Sequence, residues 1–322
     1  MRPSSSVSSR PSSSTSWPRS WCPCSFRSGW GEHVTVARYS PPGTAGLARA
    51  GRRLGRLPLS AAEHLGHQLT FVLQVLAAVP HTLRAYRRQT MLVLTDITWG
   101  SGNLVVGGGT VSVLVILGIA VGSSIGIEGY NALNLVGMGP LTGFISAYAS
   151  TRELAPMIAA IGFASQAGCR MTAEIGAMRI SEEIDALEVV GIRSIPFVVT
   201  TRVIAGVLTI VPLYLLTLVL GYVSCALVVG LFGNQSSGTY DHYFSTFLSL
   251  SDLGWSLLKA TVFVAAVILI HGYQGYYATG GPEGVGRASG RAIRASLIVI
   301  VVLDMIMTVV IWGADVGIRI SG

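Results

Sequence analysis

The chain has 322 residues, of which 51% are hydrophobic and only 11% are charged. Soluble domains carry about 25% charged residues, so this composition excludes an ordinary soluble protein and indicates a membrane protein. The formal net charge is +7, and residues 1–100 hold 12 of the 22 basic residues but only three acidic ones. Beside hydrophobic segments, this basic excess indicates a cytoplasmic flank attracted to anionic lipid rather than binding of nucleic acid.

Residues 1–45 are rich in Ser, Arg and Pro and contain no apolar run long enough for a signal-peptide core. Such a composition predicts a disordered leader, because it offers too little apolar surface to bury. A start codon assigned too far upstream would produce the same sequence, and both interpretations stay open. In either case we expect the leader to be dispensable for membrane insertion and assembly.

Residues 58–90 are predicted to form an amphipathic helix. Apolar residues recur at every third or fourth position from Leu65 to Leu83, with polar side chains between them. The basic end of this segment, Arg84 to Arg88, directly precedes the first long hydrophobic run. We therefore expect the helix to lie in the cytoplasmic membrane interface, although an ordinary soluble helix would show the same pattern.

Five hydrophobic runs follow, each long enough to cross about 30 Å of hydrocarbon as a helix. They are predicted at 103–128, 136–169, 195–232, 253–278 and 293–317. Arginines flank the second and fourth connections, whereas residues 233–252 contain no Lys or Arg. The sequence thus predicts an all-α polytopic membrane protein with a cytoplasmic N-terminus and an extracytoplasmic C-terminus.

Glycines form a stripe along the first hydrophobic run. Gly118, Gly122 and Gly126 recur at every fourth position and therefore share one face of a helix. A stripe of small residues lets a second helix approach closely. The neighbour could belong to this chain or to a second subunit, and the sequence favours neither.

The connection between the second and third runs, residues 170–193, is predicted to be a polar helix rather than a simple linker. Apolar side chains at helical spacing form one stripe, and charged side chains occupy much of the remaining surface. A helix of this kind at the cytoplasmic mouth suits docking into a groove of a soluble partner, and a solvated loop is the alternative. The residues assigned to docking are Glu174, Met178, Arg179, Glu182, Glu183, Asp185 and Leu187.

Charged residues also occur inside the hydrophobic runs. Each charge at the centre of a membrane helix costs about 2.5 to 3.5 kcal/mol on insertion scales, so Arg152, Glu153 and Asp304 should avoid lipid. Pro156 lacks the N–H that would bond the carbonyl of residue 152, which favours a kink with a free acceptor. These four residues indicate either a transport path or gate, or ion pairs that hold the helices together.

Several motifs of catalysis or cofactor binding fail on their context. A G-x-S-x-G match at 122–126 lies inside an apolar helix without a preceding strand. The glycine-rich stretch at 280–286 lacks the Gly-Lys-Ser/Thr of a nucleotide-binding loop, and no zinc-type spacing of Cys and His occurs. The sequence therefore predicts no catalytic residue, no bound cofactor and no metal site in this chain.

Three segments carry a family resemblance: RELAPMIAA at 152–160, TAEIGAMRISEEIDALEVVGI at 172–192 and GYQGYYATGGPEGVGRASGRAIRASL at 272–297. They resemble the MlaE/YrbE permease family, and the likeness extends over about 95–322. The phrase GTYDHYF at 238–244 is more similar to YrbE permeases of actinobacterial Mce systems. Ser165 and Gln166 stand where several relatives carry Gly-Arg, so no role is assigned to them.

The resemblance implies the permease subunit of an ATP-driven transporter for a fatty acid, sterol or phospholipid in the plasma membrane. It implies a cytoplasmic ABC ATPase that binds ATP and Mg, a second YrbE-type permease and extracytoplasmic MCE proteins as partners. The helix at 174–190 would be the coupling helix that contacts the ATPase, and the chain itself would not be an enzyme. From the residues alone, an ion- or proton-coupled secondary transporter using Arg152, Glu153 and Asp304 is the alternative.

Overall fold

The computed structural model describes residues 44–100, 109–233 and 237–313. Every regular element within these ranges is helical, which confirms the predicted fold class. The chain divides into two units, Met1–Pro58 and Leu59–Gly322, and the elements that concern function lie in the second. Residues 1–43 of the predicted leader lie outside the described residues.

The segment predicted as an amphipathic helix, 58–90, lies within two consecutive helices whose bounds differ from the predicted ones. Helix α1 spans Thr44–Ala85, and α2 follows at Arg87–Trp99. Between them Tyr86 adopts φ −119° and ψ 34°, which interrupts the helix. The early start is consistent with the Ala, Leu and Arg residues before position 58, since all three are good helix formers.

Helix α1 contacts the bundle through a face other than its predicted apolar stripe. Phe71, Val75 and Thr82 are buried, whereas Leu65 is 66% and Leu83 46% exposed. The stripe of leucines therefore points away from the bundle. An exposed apolar face on a helix that flanks membrane spans suits a position in the membrane interface.

Four helical segments of the described chain are long and apolar enough to cross a membrane, which confirms a multi-pass membrane protein. The first is α3, Gly109–Asn134. The second segment begins as a π-helix at Ile195–Thr200 and continues as α8, Thr201–Phe232, since four shorter helices, described below, precede it in the chain. The four segments are Gly109–Asn134, Ile195–Phe232, Leu250–Tyr276 and Gly281–Trp312.

The predicted second span at 136–169 is not a single regular helix. A 3₁₀ turn leads into α4 (Thr142–Ala149), α5 (Ala155–Phe163) and α6 (Cys169–Ile180). Two π-helical segments, Ser150–Leu154 and Ala164–Gly168, separate these three helices. The first π-segment ends two residues before Pro156, whose missing N–H prevents a regular α-helical bond to the carbonyl of residue 152.

The remaining elements complete the bundle: α7 (Glu183–Val189), α8 (Thr201–Phe232), α9 (Ser237–Phe247), α10 (Leu250–Tyr276) and α11 (Gly281–Trp312). Ser194 and Tyr276 share a hydrogen bond of 2.8 Å, so the connections at 181–194 and 277–280 lie at one end, called the proximal end. Phe144 packs on Phe247, and α9 therefore lies at the opposite, distal end.

Candidate functional site

A buried cluster of charged side chains joins the segmented second span to α10 and α11. Lys259 on α10 is fully buried, and its Nζ lies 2.9 Å from Glu153 Oε2 and 2.7 Å from Asp304 Oδ1. The same ammonium lies 2.7 Å from Thr308 Oγ1 and donates to the backbone carbonyl of Arg152 at 3.0 Å. Lys259 thus links three membrane segments through one cation.

Pro156 accounts for one of these contacts. A proline has no N–H to bond the carbonyl four residues earlier, so the Arg152 carbonyl is left as an acceptor within the helix. Lys259 Nζ bonds this oxygen. The sequence predicted a free acceptor at this carbonyl, but it did not indicate which donor would reach it.

The neighbouring cation, Arg152, is paired with a different carboxylate, that of Asp252 on α10. Its Nη2 lies 2.8 Å from Asp252 Oδ2, and its Nη1 donates to Tyr148 Oη at 2.7 Å. The guanidinium also lies over the rings of Tyr148 and Trp312, at 4.1 and 5.0 Å from their centroids. Asp252 in turn accepts a 3.0 Å bond from Trp312 Nε1. The pair therefore lies level with the first turn of α10 and the last turn of α11.

Exposure differs sharply between members of this cluster. The Lys259 side chain is 0% exposed, those of Arg152, Asp252 and Asp304 are 13 to 17% exposed, and that of Glu153 is 36% exposed. Buried ions remain stable only when paired and hydrogen-bonded, and each cation here meets that condition. Glu153 alone combines an ion pair with substantial access to its surroundings.

Lys259 and Asp252 were missed by sequence reasoning, although both lie at the centre of the cluster. One signal could have revealed Lys259: it is the only lysine of the chain, and it lies inside an apolar run. Asp252 lies just before the predicted span and looked like an ordinary loop residue. Thr308 and Trp312 carried no distinguishing signal.

The predicted docking helix at 174–190 is wrong as a single element. Helix α6 ends at Ile180, Glu182 adopts φ 59°, and α7 covers Glu183–Val189. The left-handed conformation of Glu182 breaks the helix, and the Ser181 hydroxyl bridges the Ala177 carbonyl and the Glu183 carboxylate at 3.0 Å each.

A glycine ends α7. Gly191 has φ 82°, a conformation that favours glycine, and its N–H bonds the Glu188 carbonyl at 3.0 Å. The next N–H, of Ile192, bonds the Leu187 carbonyl at 2.9 Å, which completes the cap. The polar connection is therefore a defined pair of short helices, called here the coupling segment, residues 169–190.

The apolar side chains of the coupling segment face the bundle. Ile175 and Ile184 are fully buried, and Met178 and Leu187 pack beside them in partly buried positions. Because these apolar side chains pack against the bundle, most of the acidic side chains of the segment lie at the surface. The exposed acidic residues are Glu182, Glu183, Asp185 and Glu188.

Two further features mark the surface of the coupling segment. Arg179 on α6 pairs with Asp185 on α7 at 2.7 Å and so connects the two short helices. Val189 and Val190 are 87% and 70% exposed at the end of α7. The surface thus combines negative charge with an apolar tip.

Glu174 differs from the other residues assigned to docking, because its carboxylate is engaged inside the chain. It lies 2.8 Å from Arg170 Nε and 3.4 Å from Arg202 Nη2. Arg170 in turn lies 2.6 Å from Asp96 on α2. These four residues form a second ionic group near the proximal end.

The glycine stripe of α3 packs against α8 of the same chain. A Cβ atom on Gly122 would lie 2.1 Å from the Gly221 carbonyl oxygen, and one on Gly118 would lie 2.8 Å from the Thr217 carbonyl oxygen. A Cβ on Gly126 would lie 3.1 Å from the Cys225 carbonyl oxygen. Of the two neighbours that the sequence left open, the structure shows the one within this chain.

Within the described residues, no group of three or more His, Cys, Asp or Glu side chains is placed to hold a metal ion. The arrangement instead consists of four apolar spans, a segmented helical region with buried charges and an acidic surface at the proximal end. These features define a multi-pass helical membrane protein.

Residues 102–310 match the family model described as Permease MlaE. The match covers more than half of the chain, so the chain belongs to the MlaE permease family, and the resemblance noted in its sequence is confirmed.

Curated relatives agree with this assignment. The Intermembrane phospholipid transport system permease protein MlaE of Haemophilus influenzae is 31% identical over 209 residues, which cover 64% of this chain and 80% of that protein. A Rickettsia typhi protein named Probable ABC transporter permease protein is 36% identical over 159 residues, 49% of this chain and 61% of its own length. The chloroplastic Protein TRIGALACTOSYLDIACYLGLYCEROL 1 of Arabidopsis thaliana is 31% identical over 188 residues, 58% of this chain and 54% of its own length.

Proposed function

We propose that this chain is the permease subunit of an ABC lipid transporter and that a separate ATPase supplies its energy. Family membership supports the permease role, and the relative from Haemophilus influenzae is named for a phospholipid transport system. The observation that carries the proposal is the coupling segment, an acidic surface fixed to the bundle by the fully buried Ile175 and Ile184.

A permease without nucleotide chemistry must receive work through a contact that differs between two states of its partner. A partner shifts a conformational equilibrium only by its differential affinity for the two states. The coupling segment meets the mechanical requirement, because its apolar side chains lie in the core while its acidic side chains face outward. Movement of a docked ATPase would therefore act directly on the packing of the spans.

The proposed assembly places the proximal end in the cytoplasm and the C-terminus outside the membrane, following the positive-inside rule. It contains the ABC ATPase, a second YrbE-type permease and extracytoplasmic MCE proteins, as the family resemblance implies. The transported molecule would be a lipid such as a fatty acid, a sterol or a phospholipid. ATP and Mg would be bound by the ATPase and not by this chain.

We assign the buried charged cluster to the translocation path or to its gate. Glu153 supports this assignment, because it is 36% exposed within a membrane segment and yet is paired with Lys259. Asp304 shares Lys259 with Glu153, and Arg152 pairs with Asp252, so the neighbouring helices are held around Glu153. Pro156 contributes by freeing the carbonyl that Lys259 binds.

The proposal is tested by reversing two charges of the coupling segment. The double substitution Glu182→Lys and Glu183→Lys places like charges against a basic groove on the ATPase, and such mismatches cost several kcal/mol. Both side chains are exposed, so the variant should insert and fold normally. We expect loss of ATPase co-purification or of lipid-stimulated ATP hydrolysis.

The matched control carries the same change of charge at the distal end, Glu128→Lys with Asp241→Lys, where both side chains are also exposed. This control should bind and stimulate the ATPase like the wild type. Wild-type docking and hydrolysis in the Glu182/Glu183 variant would refute the assignment. Restoration of binding by a charge-reversed ATPase would establish direct contact.

A further inference from the structure

Four charged side chains connect the coupling segment to two other elements of the bundle. Arg170 Nη2 on α6 lies 2.6 Å from both carboxylate oxygens of Asp96 on α2. Arg170 Nε lies 2.8 Å from Glu174 Oε1, and Glu174 Oε2 lies 3.4 Å from Arg202 Nη2 on α8. The sequence of contacts Asp96–Arg170–Glu174–Arg202, called here the ionic chain, therefore runs from α2 through α6 to α8.

The two outer members are anchored to their own helices. Arg202 Nη1 donates to the Val198 carbonyl at 2.7 Å, and its side chain is only 13% exposed. The backbone carbonyl of Asp96 accepts from Gly100 at 2.9 Å and from Arg170 Nη1 at 3.3 Å. The two inner members, Arg170 and Glu174, lie one turn apart on α6, the helix that leads into the exposed acidic surface.

The two ion pairs of Arg170, with Asp96 and with Glu174, are partly exposed to solvent, as expected for contacts that can exchange partners. Arg170, Glu174 and Asp96 are 35%, 37% and 39% exposed, whereas the Lys259 cluster has a cation with 0% exposure. Partly solvated ion pairs cost little to exchange, because water replaces a lost partner, whereas a buried pair costs several kcal/mol to break. A cavity of about 260 Å³ adjoins the ionic chain.

Glu174 contacts Arg170 at 2.8 Å through Oε1 and Arg202 at 3.4 Å through Oε2. A small rotation of α6 would carry the Arg170–Glu174 pair along intact, because both residues lie on α6, and would change the distances to Asp96 on α2 and to Arg202 on α8. We propose that the ionic chain transmits movement of the coupling segment to α2 and α8, with Arg170 as the positioning residue that holds α2 to α6. This inference rests on the proposed function, because it needs an ATPase docked at the coupling segment.

The test uses the full complex with its ATPase, reconstituted in vesicles that contain a fluorescent phospholipid. Arg170→Gln removes the cation between Asp96 and Glu174, so we expect ATPase docking to persist while lipid transport falls at least about fivefold, the lower range of allosteric coupling. Arg170→Lys keeps a cation between Asp96 and Glu174 and should retain transport. Arg287→Gln, which breaks an exposed pair with Glu283 on α11, is the matched control and should transport like the wild type.

A distance measurement separates transmission from a purely structural role. Spin labels at Met91 on α2 and Val189 on α7, which are 58% and 87% exposed, report the separation of the two elements. In the wild type this distance should differ between the ATP-bound and ADP-bound complexes, and in Arg170→Gln the difference should disappear.

Wild-type transport by Arg170→Gln, or an unchanged distance shift in that variant, would overturn the inference. Loss of transport in Arg170→Lys, although it folds and docks, would do the same. Absence of ATPase docking in the wild-type protein would instead refute the proposed function itself.

Discussion

Lys259 is the residue whose removal should disturb the membrane part most. Its ammonium is fully buried between Glu153 and Asp304, so the charges of three membrane segments depend on one side chain. Removing one partner of a buried ion pair typically costs about 3 to 5 kcal/mol, because the remaining charge stays buried and unpaired. Variants of this cluster should therefore be measured for protein stability as well as for lipid transport.

Lys259→Met should lower the stability of the purified protein by about 3 to 5 kcal/mol. Arg287→Met removes a cation from an exposed pair on α11 and should change stability by less than about 1 kcal/mol. Thermal unfolding in detergent, followed by size-exclusion chromatography, compares the two variants.

Glu153→Ala should leave the complex assembled while lipid transport falls, because Lys259 keeps Asp304 as its partner. Failure of Glu153→Ala to fold would favour the structural ion-pair interpretation.

Sequence reasoning found only part of this cluster. Arg152, Glu153 and Asp304 were detectable, because charges inside apolar runs are costly and therefore conspicuous. The partner of Glu153 was not detectable, because Lys259 lies 106 residues away in sequence. Periodicity assigns a residue to a face of its own helix, but it does not fix how far that helix is shifted along its neighbour.

Among the elements, the helices of the second span and of the coupling segment departed most from expectation. Hydropathy predicts a span, but it carries no information about π-helical segments such as Ser150–Leu154, which depend on hydrogen bonding around Pro156. The sequence also did not predict the break in the helix at Glu182, because a glutamate rarely adopts a positive φ. The apolar stripe was nevertheless correct, since Ile175 and Ile184 are both buried.

The contact between α3 and α8 gives a prediction about helix packing. Gly122→Ala places a Cβ 2.1 Å from the Gly221 carbonyl oxygen, a backbone atom that cannot move without shifting α8. Overpacking of this kind costs about 1 to 3 kcal/mol. Gly254→Ala on α10 is the control, because its Cβ meets nothing within 4 Å and alanine favours a helix by about 0.5 to 1 kcal/mol. Thermal unfolding should therefore shift downward for the first variant and not for the second, and equal stability of both would contradict the close contact.

At the scale of the whole molecule, the two ends of the bundle differ in chemistry. The proximal end carries the ionic chain and the acidic coupling segment, whereas α9 at the distal end packs through the aromatic Phe244 and Phe247. This polarity fits a protein that receives mechanical work at one end. An ion-coupled carrier would instead need a membrane carboxylate that exchanges its proton or ion during transport.

The source of energy provides the last prediction. Glu153 and Asp304 both lie within 3.0 Å of the Lys259 ammonium, at 2.9 and 2.7 Å, so the carboxylates that a proton-coupled carrier would use are both engaged by the same fixed cation. We therefore expect lipid transport by the reconstituted complex to require ATP and to continue when an ionophore collapses the proton gradient. A complex whose ATPase carries a substitution of its catalytic glutamate is the control and should bind the permease without transporting lipid. Transport that survives in this control complex and stops with the ionophore would instead establish a secondary transporter, and Glu153→Gln should then abolish it.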